Sequence, residues 1–325
     1  MNSPFDNWRT LGWLWLWLSI LTCLGSPVPV NIQIATNDSV DSEYRTLLRA
    51  DDEAQAEVDE WIKASQSNHV ESVTVAKALL QLRISRRFEP VGEAYQGFLK
   101  VHPEHTRARL AYASFLRDWG HEPEALEQLE KARTLAPANA VVWNNLGNFY
   151  GHNGPATNAF TCYARALELN PREPLYYQNY ARNLLLFRGD AMNVYHLSLR
   201  DVITKAQDLY RKALELCPTN FTVASDLAQS YYAVILPVTT NATVANQAVV
   251  QLGEESLAAW RRAEAVAEDD VQRQGVWLHY ARICISLQRF DDAQKHLDKV
   301  QAMEYLGTCN ELTEKLKDAR AKAGK

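Results

Sequence analysis

Shifted by 34 residues, the chain aligns with itself. Trp143, Leu146, Gly147, Tyr150, Ala159, Tyr163, Ala166 and Pro171 fall on Arg109, Tyr112, Ala113, Leu116, Ala125, Leu129, Ala132 and Pro137. One period earlier the same places hold Val75, Ala78, Leu79, Leu82, Val91, Tyr95, Phe98 and Pro103, and one period later the first half returns as Tyr177, Tyr180, Ala181 and Leu184. Within a period the apolar positions step by three and four residues in two runs, which is the spacing of two amphipathic helices. Such a unit has too little core to stand alone, so units must stack, each on its neighbours. The fold class that follows is all-α.

The eighth place of the unit carries a small residue: Ala113, Gly147, Ala181, Ala228 and Ala281. A small residue there lets two helix axes approach to about 8–10 Å. Gly147 gives up about 1 kcal/mol of helix propensity relative to alanine, and close packing is the compensation expected for it. Asn139 and the run Asn153-Gly154-Pro155 supply cap and turn chemistry around that helix, and Pro171 and Pro174 mark the next boundary. The period breaks twice. An excess at Gly189–Leu197 reads as a short helical excursion before an N-cap at Ser198, and a second at 237–251, rich in Pro, Thr and Asn, reads as an exposed loop. A last unit follows on Trp277, Tyr280, Ala281, Cys284, Ala293, Leu297 and Val300. Residues 310–322 predict a Glu- and Lys-rich helix capping the stack. Its counterpart at the other end is a helix over 51–66, whose Asp51, Asp52 and Glu53 suit a helix N-terminus.

These residues resemble the tetratricopeptide repeat, a helix–turn–helix unit closed by proline. The resemblance covers residues 51–325 and is most specific over 106–173. It implies a right-handed superhelical solenoid of antiparallel helix pairs. It also implies a ligand groove on the concave side, lined by the second, fifth, sixth, ninth and twelfth places of the first helices. Here those places include Asn144, Asn145 and Asn148, then Gln178, Asn179 and Arg182, then Ser225, Asp226 and Gln229. Amides donate to and accept from a peptide backbone, so stacked units are suited to an extended chain. The carboxylate clamp of chaperone-binding relatives does not fit. Asn148 and Asn179 match its asparagines, but Asn144 and Thr222 stand at its lysine places and Asp226 replaces its arginine. Arg83, Arg117, Arg182 and Arg282 outnumber Asp118 and Asp226 among the groove candidates, which predicts a mildly basic cradle.

The remaining composition excludes other classes. A formal charge of −5 with dispersed Lys and Arg lacks the basic face that nucleic-acid binding needs. The five cysteines form no C-x-x-C and no zinc spacing, and no phosphate loop or nucleophile–base pair is present, so neither cofactor nor metal is expected. His102-Pro103-Glu104-His105 reads as an exposed turn, and Cys162, Cys217 and Cys284 as buried free thiols. Leu11–Leu24 is short for a membrane span of about 20 residues and follows Arg9, so 1–25 reads as a signal peptide cleaved after Gly25 or, with Trp13, Trp15 and Trp17 at the interface, as a retained anchor. Residues 26–50 read as an acidic flexible linker. The expected function is a non-enzymatic, exported scaffold or adaptor for a protein or extended peptide, periplasmic or in the cell envelope in a bacterium. The alternative is a membrane-anchored assembly factor for an envelope complex.

Overall fold

Several helix boundaries fall where the sequence supplies side-chain or glycine caps. The computed structural model describes residues 38–67, 73–233 and 243–323, and among them every regular element is helical. Described residues up to Pro171 form one compact unit. It holds α1 (Asp38–Ser67), α2 (Val73–Val101), α3 (Thr106–Trp119), α4 (Glu122–Leu135), α5 (Ala140–Asn153) and α6 (Ala156–Leu169). Residues from Arg172 onward belong to a second unit. It holds α7 (Pro174–Leu186), α8 (Arg188–Tyr195), α9 (Leu199–Leu216), α10 (Phe221–Ser230), α11 (Thr243–Ala265), α12 (Asp270–Ser286), α13 (Phe290–Leu297) and α14 (Leu306–Ala323). Antiparallel pairs α1/α2, α3/α4 and α5/α6 stack in the first unit. In the second, α7/α9, α10/α11 and α12/α13 stack, and α14 closes on α12 and α13. Each unit is a solenoid of helix pairs.

The pairs interlock at the small residues. Ala113, Ala181, Ala228 and Ala281 on the first helices are buried, as are Ala125, Ala159, Ala206, Ala263 and Ala293 on the second. Asn139 accepts from the Val141 N–H at 3.0 Å to start α5, and His105 Nδ1 accepts from the Ala108 N–H at 3.0 Å to start α3. Gly120 ends α3 with φ +87°, a left-handed conformation that favours glycine. The Gly189–Leu197 excess is the helix α8, and Ser198 with Asp201 forms a capping box on α9.

Five expectations are corrected. The chain is helical from Asp38, so residues 38–50 are not linker and Asp51 lies inside α1 rather than at its start. The acids there are solvated on one face while Tyr44, Leu47, Ala54 and Val58 form a buried stripe on the other, and Asp51 accepts from the Tyr95 hydroxyl at 2.6 Å. The unit anticipated on Val75, Leu82, Val91 and Pro103 is not a helix pair: α2 runs unbroken, with Pro90 inside it, because Gln81–Glu89 contains no Gly, Asn or Pro to turn the chain. Leu79 and Leu82 are consequently 62% and 48% exposed. The loop anticipated over 237–251 is helical from Thr243, with Val249 buried; residues 234–242 lie outside the described residues, as does the anticipated signal peptide. His102 and His105 are not exposed turn residues, since His105 caps α3 against the Tyr44 and Phe98 rings and His102 Nε2 lies 3.5 Å from Glu43. Cys162 and Cys284 are buried free thiols, with Cys162 pushed up to about 11 by burial, and Cys217 is only half-buried.

Candidate functional site

In the first unit the site residues sit on α5. A methyl group placed on Gly147 would lie 2.6 Å from Cε1 of Tyr163, on α6, so the glycine exists to admit that ring. The Tyr163 hydroxyl then donates to Asn148 Oδ1 at 2.9 Å, which ties the ninth place of the unit to the helix behind it. Asn145, at the sixth place, is half-buried. Asn144 is 4% exposed and does not present its amide to an open groove, contrary to expectation. A β-carbon flanked by Trp143 and Asn145 on one turn has little room to reach solvent when α4 and α6 pack on both sides.

In the second unit the candidates meet one another. Gln178, 7% exposed, donates through Nε2 to Asp226 Oδ2 at 3.0 Å, and Arg182 Nη2 donates to the same oxygen at 2.7 Å. This joins α7 to α10. The Tyr210 hydroxyl is held protonated by its burial and by the Asp226 charge, against the opposing pull of Arg182. Asn179 is half-buried, Ser225 is buried and Gln229 is exposed. Asn183, which sequence reasoning passed over, is buried with Oδ1 unpartnered.

The same face continues with Arg282, anticipated as a groove arginine, and with Tyr232 and His279, which were missed. The Tyr232 hydroxyl and His279 Nδ1 are 2.8 Å apart, joining the end of α10 to α12. The His279 ring stacks on the buried Trp260 of α11 at 3.9 Å and 10°. Burial, reinforced by Arg282, takes His279 down to about 3, so the imidazole is neutral at physiological pH. The Arg282 guanidinium lies 5.7 Å over the Tyr232 ring. With Trp277 at the fourth place, His279 and Arg282 hold the sixth and ninth places of their unit, as Asn145 and Asn148 do in theirs; that register placed Arg282 among the groove candidates and could have found His279.

Two of the four arginines of the anticipated basic cradle are neutralised. Arg182 pairs with Asp226, Arg117 with Asp118 at 3.5 Å, and Arg83 stacks on Trp61 at 3.7 Å. Arg282 makes no ion pair among the described residues. Asp118 is raised to about 6 by burial, and Asp51 and Asp59 add to the shift while Arg117 opposes it. Its unfolded value is near 3.9. Above about pH 7 the carboxyl is ionised in both states and the folded state bears the desolvation. As pH falls through 6 the folded protein takes up the proton first, so this group's contribution to stability improves down to about pH 4. Asp118→Asn is therefore expected to raise stability by about 1–2 kcal/mol at pH 7.5, with the gain shrinking toward pH 4. Urea unfolding at the two pH values checks it, and a gain independent of pH contradicts the assignment.

Among the described residues no group of three or more His, Cys, Asp or Glu could hold a metal ion, and no helix is long and apolar enough to cross a membrane. Comparison with known proteins bears on the fold. Residues 140–173, which carry the Gly147 helix pair, match the family model of the tetratricopeptide repeat. The crystal structure of PilW, described as a widely conserved type IV pilus biogenesis factor, superposes with a TM-score of 0.53 at 16% identity, over 75% of this chain and 100% of that one. Pseudomonas aeruginosa PilF (TM-score 0.49, 17% identity, 72% of this chain and 95% of that chain) and YrrB (0.49, 13%, 69% and 99%) are also similar. No curated protein sequence matches the chain. The protein is thus an all-helical repeat protein with the tetratricopeptide fold.

Proposed function

We propose that this protein is a non-enzymatic scaffold or adaptor that holds a protein or an extended peptide on the face formed by the first helices of its pairs. The observation that carries this reading is the convergence in the second unit. Side chains at the same few repeat places of α7, α10 and α12 hydrogen-bond along one face, through Gln178, Arg182 and Asp226 and then Tyr232 and His279. A face built from repeated amide, carboxylate and guanidinium groups addresses a main chain rather than a reaction centre. The expected setting is extracytoplasmic, in the periplasm or envelope of a bacterium, from the apolar segment Leu11–Leu24.

A pull-down from the native envelope tests the reading. Asn145 in the first unit and Gln229 in the second are each replaced by alanine in separate variants, since neither holds the Tyr163 or Asp226 contacts. Loss of a specific partner with an unchanged circular dichroism melt supports the proposal; an unaltered partner list removes it from this face. A second reading, a membrane-anchored assembly factor, is favoured by the fold shared with the pilus biogenesis factor PilW. The intact mass of the exported protein separates the two, since cleavage leaves a chain starting near Ser26.

A further inference from the structure

We propose that the open face of the α1/α2 pair is a self-association surface, and that its occupant is the same pair in a second copy of this chain. The surface lies wholly in the first unit and does not rest on the scaffold reading.

The two helices each leave a stripe uncovered among the described residues. On α2, Leu79, Leu82 and Arg86 recur at i, i+3 and i+7 and all three are exposed. On α1, Glu53, Glu57 and Glu60 recur at i, i+4 and i+7 and are exposed as well. The contacts between the helices put both stripes on one side. Arg87 and Arg83, which flank the α2 stripe, reach Glu57 at 2.9 Å and the Trp61 ring at 3.7 Å. The other side of α2 is taken by α3, whose Trp119 lies against Gly92 and Ser85. The open face therefore has an acidic edge on α1 and a mixed basic and apolar edge on α2.

Charge selects the occupant. From Asp51 to Glu60 α1 carries six acids and no base, and from Ala76 to Arg87 α2 carries four bases and no acid. An anionic membrane meets the acids along with the bases, and exposed leucines beside a row of carboxylates are a poor lipid anchor. A second copy turned about a two-fold axis along the helices lays its acidic edge over the basic edge of the first. A turn about an axis across the helices sets acid on acid. The antiparallel register is fixed by the Glu57 to Arg87 and Trp61 to Arg83 contacts, which put Arg86 level with Val58 and Leu82 level with Ile62. The favoured rotation keeps those levels. Arg86 of one copy then falls between Glu57 and Glu60 of the other, and the last turns of the other copy's α1 cover Leu79 and Leu82. Two helix pairs packed in this way form a four-helix bundle in which every contact occurs twice. The stripe is about 18 Å long on a face about 20 Å wide, which is small for a specific interface, so the dimer is weak and concentration-dependent.

Sedimentation velocity of the full chain from about 2 to about 200 µM, the range a small interface calls for, tests the surface. A shift from monomer to dimer is expected. Leu79→Ser combined with Leu82→Ser is expected to remove the dimer and leave the melt of the dilute chain unchanged, since both side chains are exposed. Arg86→Glu and Glu60→Arg are each expected to weaken dimerisation by roughly tenfold, because each change counts twice across the axis. Mixed in equal amounts, those two variants are expected to dimerise as the parent chain does, since opposite charges then meet at both contacts. A monomer throughout the range, a dimer indifferent to the leucine changes, or reversed chains that do not recover on mixing overturns the proposal. Co-sedimentation of a monomeric chain with phosphatidylglycerol vesicles, lost in the leucine variant, assigns the face to a lipid surface and overturns it too. None of these outcomes bears on the pull-down, so the dimer and the scaffold reading stand or fall separately.

Discussion

Gly147→Leu is expected to lower the unfolding free energy by about 3 kcal/mol or more, the upper part of the range for overpacking a filled core. The first atom of the new side chain already lies 2.6, 2.7 and 3.0 Å from three carbons of the Tyr163 ring. That ring is 3% exposed and anchored through its hydroxyl to Asn148, so it cannot swing aside without giving up the hydrogen bond and its packing. Gly147→Ala separates the steric term from the chain length. It gains about 1 kcal/mol of helix propensity, yet a net loss is expected because the clash is made by the β-carbon itself. Gly97, on α2, is the matched control, since a methyl group placed there meets nothing within 4 Å. Gly97→Ala should stabilise by up to about 1 kcal/mol. Urea unfolding of the three variants is sufficient. If Gly147→Ala behaves like Gly97→Ala, α5 and α6 do not cross at this residue.

Asp226→Ala is expected to cost about 2–3 kcal/mol. The carboxylate is the shared acceptor for Gln178 Nε2 and Arg182 Nη2, and its removal leaves a nearly buried amide with that donor unpaired. The Arg182 side chain is 40% exposed, so water recovers part of its solvation and the ion pair contributes less than a fully buried one would. The amide is the larger liability. Gln178→Leu in the Asp226→Ala background should then restore stability relative to Asp226→Ala alone, because it deletes the orphaned donor. A double-mutant cycle measures this coupling. Additive losses would show that Gln178 and Asp226 do not depend on each other.

What could be read from the sequence was position along a helix, and what could not was the neighbour's reach. The step of 34 residues put Ala113, Gly147 and Ala181 at helix crossings, the same place in the units after the two excesses put Ala228 and Ala281 there, and all are buried. It also put Asn145, Asn179 and Asp226 at equivalent places. It did not show that Asp226 would be occupied by the longer side chains of Gln178 and Arg182, because that depends on side chains 48 and 44 residues apart in the chain. Asn144 was misjudged for the same reason: its place in the repeat allows groove exposure, and the packing around α5 closes it. The start of α1 was hidden by Asp41, Glu43, Asp51 and Asp52, whose charges mask a narrow stripe at Tyr44, Leu47, Ala54 and Val58. The length of α2 was hidden by the repeat itself. Alignment imported a turn that residues 81–89 have no means of making.

The unbroken α2 divides into two halves of different durability. From Phe88 to Leu99 its inward residues Phe88, Val91, Tyr95 and Leu99 are buried in the core of the first unit. From Ala76 to Leu82 every residue but Leu80 is exposed, and the ties to α1 just beyond are surface ones, Arg83 on Trp61 and Arg87 to Glu57. Backbone hydrogen bonds in a helix protected only by such contacts open without the rest of the domain. The amide protons of 76–82 are therefore set to exchange with solvent through local fraying, while those of 88–99 wait for the whole unit to unfold, so one continuous helix carries two clocks.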